Sequence, residues 1–145
     1  MSVVPAPALA RLAVAAALLF GFTTLFAVAQ PIGVTIEKQG AGYRMLRDGK
    51  PYIIKGAGGS EKLDVLSAAG GNSIRTWSAD PAVLDRAQQH GLTVLMGLRV
   101  GLPRHGFNYR DPQAVARQLE EARQTVERLK NQPALLIWGV GNEVE

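Results

Sequence analysis

The sequence lacks cysteine, and its charged residues form no cluster of one sign. The absence of cysteine from all 145 residues excludes a disulfide framework and a thiolate metal site. Sixteen lysine and arginine residues against twelve acidic residues give a net charge of +4. Because the basic residues are scattered singly among acidic ones, they indicate a solvated surface and no nucleic-acid partner.

Motifs that bind phosphate or nucleotides are also missing. The run Gly56-Ala57-Gly58-Gly59 superficially resembles a dinucleotide loop, but it does not give the G-x-G-x-x-G spacing, and no acidic residue ends the next predicted strand. We interpret these glycines as a closely packed turn. The sequence therefore predicts neither a cofactor nor a metal site.

The first 29 residues have the features of an export signal. Arg11 is the single charge ahead of an apolar stretch from Leu12 to Ala29, and Ala27-Val28-Ala29 is a small-x-small cleavage site. We interpret residues 1–29 as a signal peptide, which predicts a periplasmic or extracellular protein. The apolar stretch of 18 residues is also near the shortest that spans a bilayer, so retention as a membrane anchor is the alternative.

Residues 30–51 predict a β segment ahead of the main domain. Strands are predicted at Val34–Glu37 and Tyr43–Leu46, with a third at Tyr52–Ile54. The pair Asp48-Gly49 favours a tight hairpin turn between the second and third strands.

From Ile53 onward strands alternate with helices, which predicts a parallel α/β sheet over residues 52–145. Ser60 is predicted to cap a first helix over Lys62–Ala69. Asp80-Pro81 and Asp111-Pro112 are start signals for two further helices, because aspartate caps a helix and proline suits its first position. The second helix is predicted to run to Gly91, and the strands between the helices are predicted at residues 72–77 and 92–98.

The third helix carries a predicted apolar stripe that faces the sheet. Its members recur at spacings of three and four residues, and they are Val115, Leu119, Ala122, Val126 and Leu129. Outside the stripe, Arg117 with Glu121 and Arg123 with Glu127 are one turn apart and predict ion pairs. The loop before this helix, residues 99–110, is the longest between a strand and a helix, as loops that carry function often are.

The apolar run from Ala134 to Gly141 predicts a fourth strand that is buried on both faces. Asn142 and Glu143 follow this run, and an amide followed by a carboxylic acid has no packing role there. In a (β/α) barrel the C-terminal strand ends form the mouth where catalytic residues lie, so we interpret the pair chemically. For both side chains to reach one ligand, the strand must end or bulge at this point.

Three segments resemble the first half of a clan A glycoside hydrolase, and most closely the bacterial family 2 TIM-barrel domain. They are Gly-Gly-Asn-Ser-Ile-Arg-Thr-Trp at 70–77, Arg-His-Gly-Phe-Asn-Tyr at 104–109, and Gln-Pro-Ala-Leu-Leu-Ile-Trp-Gly-Val-Gly-Asn-Glu-Val-Glu at 132–145. The resemblance implies a (β/α)8 barrel of which this chain supplies the first four strands. It also implies a hydrolase of β-linked oligo- or polysaccharides.

In that family a retaining mechanism operates, and the resemblance implies that Glu143 is the general acid/base. A second glutamate on the seventh strand would be the nucleophile, so we expect this half-barrel to be inactive alone. The resemblance further implies that Asn142 binds the sugar 2-hydroxyl and that Arg75 orients the nucleophile. The neighbours Val140, Gly141 and Val144 offer Glu143 little hydration, which favours a raised pKa. Each residue also has a plainer interpretation: helix cap for Glu143, loop amide for Asn142, and structural ion pair for Arg75.

Four further residues are candidates for sugar contacts. Trp77, at a strand end, is a possible stacking platform, whereas Trp138, in mid-strand, is more typical of a core residue. His105 and Tyr109 lie in the long loop, where a histidine is commonly only solvated. Glu145 is either a second acidic contact or the first turn of the next helix.

The rival function is a non-catalytic carbohydrate-binding or assembly module built on the half-barrel.

Overall fold

The computed structural model describes residues 31–142. The predicted signal peptide therefore lies outside the described residues, as do Glu143 and Glu145. Three short antiparallel strands come first, followed by four parallel strands that alternate with helices. Within residues 31–142 no helix is long and apolar enough to cross a bilayer.

The antiparallel arm comprises β1 (Val34–Gln39), β2 (Gly42–Arg47) and β3 (Lys50–Pro51). The predicted hairpin turn is confirmed: Asp48 and Gly49 have φ angles of 53° and 69°, as a tight turn between β2 and β3 requires. The prediction of a third strand at Tyr52–Ile54 is wrong. Strand pairing ends at Pro51, although the Tyr52 N–H still donates to the Met45 carbonyl at 2.9 Å, and the Tyr52 side chain bonds to the parallel sheet.

The parallel sheet has the order β4-β5-β6-β7. Its strands are β4 (Gly56–Gly58), β5 (Ser73–Arg75), β6 (Thr93–Leu98) and β7 (Leu135–Val140). The helices between them are α1 (Leu63–Ala68), α2 (Pro81–Gln89) and α3 (Pro112–Leu129), and a short 3₁₀ turn (Pro103–His105) lies in the long loop. The predicted alternation of strands and helices is confirmed.

The glycine run is the first strand of this sheet and not the turn that its composition suggested. Gly56 pairs with Ser73 and Gly58 pairs with Arg75 in the parallel register. A Cβ atom on Gly56 would lie 2.1 Å from the carbonyl oxygen of Ser73, so no larger residue fits this approach. Close packing was the correct part of the prediction, and the strand geometry was missed because glycine has little strand propensity.

Helix starts follow the aspartate signals but not the serine signal. The side chain of Asp80 accepts a hydrogen bond from the Ala82 N–H, and that of Asp111 accepts from Gln113 and Ala114. The cap predicted at Ser60 is wrong, because Lys62 occupies the N-cap position of α1 in a left-handed conformation with φ 52°. That helix consequently starts without a side-chain cap.

On α3 the predicted stripe and ion pairs are only partly correct. Leu129 is buried, but Leu119 is 68% exposed, so the helix turns this position to solvent. Arg123 pairs with Glu120 at 2.9 Å, and Lys130 pairs with Glu127. The hydrogen bond from Arg123 lowers the pKa of the exposed Glu120 carboxyl to about 2. Pairs three residues apart thus replace the predicted pairs four residues apart.

The apolar core lies between the parallel sheet and the helices. Alternate residues of the central strands enter it, among them Ile74, Val94 and Met96, and α2 contributes Leu84, which is fully buried. Trp138 packs against this core, as predicted. Burial of the last strand on both faces is only partly observed: Leu136 is buried and Ile137, on the opposite face, is half-buried, whereas Val140 at the end of the strand is exposed.

The antiparallel arm is fixed to the N-terminal end of the parallel sheet. The Tyr52 hydroxyl donates to the Asn72 carbonyl at 2.9 Å and lies 3.0 Å from the Thr93 hydroxyl. Arg47 donates to the Pro133 carbonyl at 3.1 Å. Asn72, Thr93 and Pro133 lie at or just before the beginnings of three parallel strands. The opposite end of the sheet, where the strands finish, is therefore left for the loops.

Candidate active site

Arg75 is the last residue of β5, so its side chain leaves the sheet at the C-terminal end. Its neighbours Ile74 and Thr76 are buried, whereas Arg75 is exposed. Strand alternation accounts for this difference, because Ile74 points into the core beneath the helices and Arg75 points to the other face of the sheet. Arg75 thus lies on the face of the sheet opposite the apolar core.

Asn142 lies at the same end of the sheet, just after β7, and β6 separates that strand from β5. Gly141 has a φ of 75°, which ends β7, and its N–H donates to the Leu98 carbonyl at 3.0 Å. The Arg75 Nη2 atom then donates to the Asn142 Oδ1 atom at 2.7 Å. Two residues that are 67 positions apart in sequence are thereby joined directly. The strand ends before Asn142, as we expected for a pair that serves one ligand.

Trp77 is the third predicted residue at this position. The guanidinium carbon of Arg75 lies 5.4 Å from the centre of the indole ring, within the range of a cation–π contact. The ring is 51% exposed. Arg75 therefore has an amide and an aromatic ring as partners, where we had expected an acidic side chain.

Two glycines make room for Trp77. A Cβ atom on Gly58 would lie 2.9 Å from Cη2 of the indole, and one on Gly97 would lie 2.7 Å from the Trp77 Cα atom. Gly58 and Gly97 belong to β4 and β6, the strands on either side of β5. The position of Trp77 consequently depends on bare backbone on both neighbouring strands.

A cavity of about 210 Å³ lies beside Arg75 on the face of the sheet away from the core. Gly56, Gly58, Ser73 and Leu95 contribute to its wall. The Ser73 hydroxyl is bonded to Thr93 at 3.0 Å, so it is held within the sheet. Arg75 is the charged group of this cavity.

The long loop places His105 and Tyr109 elsewhere. His105 lines a cavity of about 620 Å³ together with Arg99 and Phe107. The Tyr109 hydroxyl donates to the Gly101 carbonyl at 2.8 Å, and the Gly101 N–H donates to the Gln118 side chain. Within residues 31–142, no hydrogen bond, ion pair or ring contact joins His105 to Arg75, Trp77 or Asn142. The loop is thus folded onto α3, and His105 is not part of the Arg75 cluster.

Glu143 follows Asn142 directly in the chain, although its own position lies outside the described residues, as does that of Glu145. Val140 had been expected to shield Glu143 from water, but its side chain is 73% exposed. Among the described residues no cluster of three metal-ligating side chains occurs. The C-terminal end of the sheet therefore presents a cation, an amide and a half-exposed indole, and Glu143 follows the amide residue in sequence.

Comparison with known families shows the family to which the chain belongs. The family model described as glycosyl hydrolases family 2, TIM barrel domain, matches residues 61–145, which is more than half of the chain. The chain belongs to this family. The resemblance inferred from the sequence is therefore confirmed, and the four parallel strands form part of a TIM barrel.

Solved structures agree on the fold. The β-glucuronidase from Ruminococcus gnavus, in complex with uronic deoxynojirimycin, superposes with a TM-score of 0.60 at 18% identity. The same enzyme with C6-substituted uronic isofagomine gives 0.57, also at 18% identity. Each match covers 79% of this chain but only 22% of the glucuronidase chain. No curated protein sequence matches.

Two residues that lie against Trp77, Gly58 and Gly97, were not predicted from the sequence. A signal for Gly97 was present, since an isolated glycine inside a strand indicates a close approach of other atoms. Gly58 was hidden in the run that we interpreted as a turn. Neither glycine has a side chain to suggest chemistry, and their role follows from the position of Trp77.

Proposed function

We propose that this chain carries the acid/base part of the site of a retaining glycoside hydrolase acting on β-linked glycans. The observation that supports this most is the 2.7 Å hydrogen bond from Arg75 to Asn142, immediately before Glu143 at the C-terminal strand ends. Catalytic residues of TIM barrels lie at that end of the sheet. Membership of family 2 supports the assignment to glycoside hydrolysis.

In the proposed reaction Glu143 is the general acid. It donates its proton to the glycosidic oxygen while a second carboxylate attacks the anomeric carbon, and the bond between that carbon and the leaving oxygen breaks. The ionised Glu143 then takes a proton from water, which attacks the glycosyl ester and releases the sugar and the second carboxylate. The second carboxylate has to lie about 5 to 5.5 Å from Glu143. We propose that it comes from outside these four strands.

Asn142 and Arg75 have supporting roles in this proposal. The Asn142 Oδ1 atom accepts from Arg75, which fixes the amide and leaves its N–H groups for the sugar 2-hydroxyl. Arg75 has further N–H donors, and in a complete barrel these would keep the nucleophilic carboxylate ionised. The substrate class is a β-linked oligo- or polysaccharide. The inhibitor complexes of the R. gnavus enzyme support carbohydrate as the ligand.

Binding of glycans to the 145-residue chain tests this proposal. We expect calorimetry to detect binding of at least one member of a panel of β-linked oligosaccharides, with uronic acids included. Arg75→Met should weaken that binding by about tenfold or more, since hydrogen bonds from charged groups contribute about 1.5 to 3 kcal/mol. Arg44→Met is the matched control, because Arg44 is paired with Glu37 in the antiparallel arm. Undiminished binding by Arg75→Met would contradict the proposal.

We also propose that the protein is exported, on the composition of residues 1–29. Signal peptidase cleavage after Ala29 would give a mature protein that begins at Gln30. N-terminal sequencing of protein recovered from outside the cytoplasm is expected to start at Gln30. Recovery of intact Met1 in the membrane fraction would show a retained anchor instead.

A further inference from the structure

The strongest observation beyond the acid/base site is the environment of Trp77. Trp77 is half-exposed beside Arg75, a position from which an aromatic side chain would be expected to stack on a sugar. Its six-membered ring, however, lies against the bare backbone of Gly58. The guanidinium of Arg75 lies over the ring, at 5.4 Å from its centre. Arg75 therefore already lies over one face of the ring, although the residue remains 51% exposed.

We propose that Trp77 is a positioning residue for Arg75 and not a platform for the sugar. The proposal rests on the function proposed above and deepens it. An arginine side chain has many rotamers, and the Asn142 amide alone holds it at one Nη atom. The indole supplies a second contact, at the guanidinium carbon, so the group is held at two points and not only at its end. The fixed guanidinium then presents its remaining N–H groups in one direction.

The glycines on the neighbouring strands, Gly58 and Gly97, help to place the Trp77 ring beside Arg75. A Cβ atom added at position 97 would lie 2.6 to 2.8 Å from backbone atoms of Trp77 and Thr76. Glycine therefore allows the chain after β5 to cross β6 closely. Gly58 would contact only the far edge of the indole. Gly58→Ala is therefore expected to tilt the ring while it leaves the backbone in place.

The first experiment measures the contact without any ligand. In the isotope-labelled 145-residue chain, the Arg75 Hε and Hδ protons are expected to resonate upfield because of the indole ring current. Trp77→Leu should remove this shift, Trp77→Phe should keep part of it, and Gly58→Ala should change it without altering Arg75 itself. Gly33→Ala is the control, because nothing lies within 4 Å of a Cβ atom there. An Arg75 resonance that is the same in Trp77→Leu and wild type would overturn the proposal.

The second experiment is a double-mutant cycle on glycan affinity with Trp77→Leu, Arg75→Met and the double variant. Trp77→Leu alone should weaken binding by about two- to fivefold, the effect of an exposed cation–π contact. In the Arg75→Met background the same change should have no further effect, since the indole then has no guanidinium to hold. Additive losses would show that the indole contacts the sugar directly, and the proposal would fail.

The two experiments separate the two proposals. If the ring-current shift behaves as expected but the wild-type chain binds no β-linked glycan, the positioning role stands and the proposed glycan site fails. If glycans bind but the shift is absent, the reverse holds. Trp77→Phe and Gly58→Ala keep the test usable where Trp77→Leu does not fold.

Discussion

Glu143→Gln is expected to lower the hydrolysis of unactivated β-glycosides by about 10²- to 10⁴-fold in a complete eight-stranded barrel that carries this sequence. The change removes the proton donor but keeps nearly the same shape, so binding and folding should be retained. Substrates with poor leaving groups depend most on protonation of the glycosidic oxygen. For aryl glycosides with activated leaving groups, the rate of the first step, formation of the glycosyl-enzyme intermediate, should therefore fall much less.

The measurement compares kcat/KM for the two substrate classes in wild type and variant. Glu121→Gln, which removes an exposed carboxylate on α3, is the matched control and should leave both values unchanged. Equal losses for activated and unactivated substrates would show that Glu143 is not the acid.

Gly56→Ala is expected to destabilise the folded chain by about 3 kcal/mol, at the upper end of the usual cost of overpacking. The added Cβ atom would lie 2.1 Å from the Ser73 carbonyl oxygen and 2.8 Å from its carbonyl carbon. Both are backbone atoms of the paired strand, so β4 and β5 have to separate to admit it. A side chain could turn away, but these atoms cannot.

Urea unfolding followed by circular dichroism measures this effect through the midpoint, with the slope checked for a change in the unfolded state. Gly33→Ala is the control: a Cβ atom there meets nothing within 4 Å, so the free energy of unfolding should change by no more than about 0.5 kcal/mol. Matching midpoints for the two variants would mean that β4 does not pair with β5 as described.

The parts of the fold that were predicted correctly are those determined by neighbouring residues. Asp80 and Asp111 cap their helices because the bond runs only two or three residues along the chain. The Asp48-Gly49 turn is equally local. The prediction that Leu119 faces the sheet was wrong. Its apolar character fits the helix period, but the position of the sheet decides which helix positions are covered. The strand at Gly56–Gly58 failed because its pairing with Ser73 is long-range.

The site shows the same division. Residue types and strand ends identified Arg75, Trp77 and Asn142, and the structure brings all three together. The partner of Arg75 was not predictable, because it depends on the lateral register of β5, β6 and β7 and on the turn at Gly141. His105 was predicted as a candidate from its place in the long loop. The anchoring of its loop to Gln118, which directs it elsewhere, is a tertiary contact.

A crystal structure of the chain with a β-linked disaccharide tests most directly whether glycans bind at the hydrogen-bonded pair Arg75 and Asn142, next to Glu143. We expect a sugar in hydrogen-bond contact with the Asn142 amide, with its glycosidic oxygen beside Glu143 and with Arg75 still lying over Trp77. A sugar bound instead in the cavity lined by Arg99, His105 and Phe107, with the Arg75 edge empty, would contradict it.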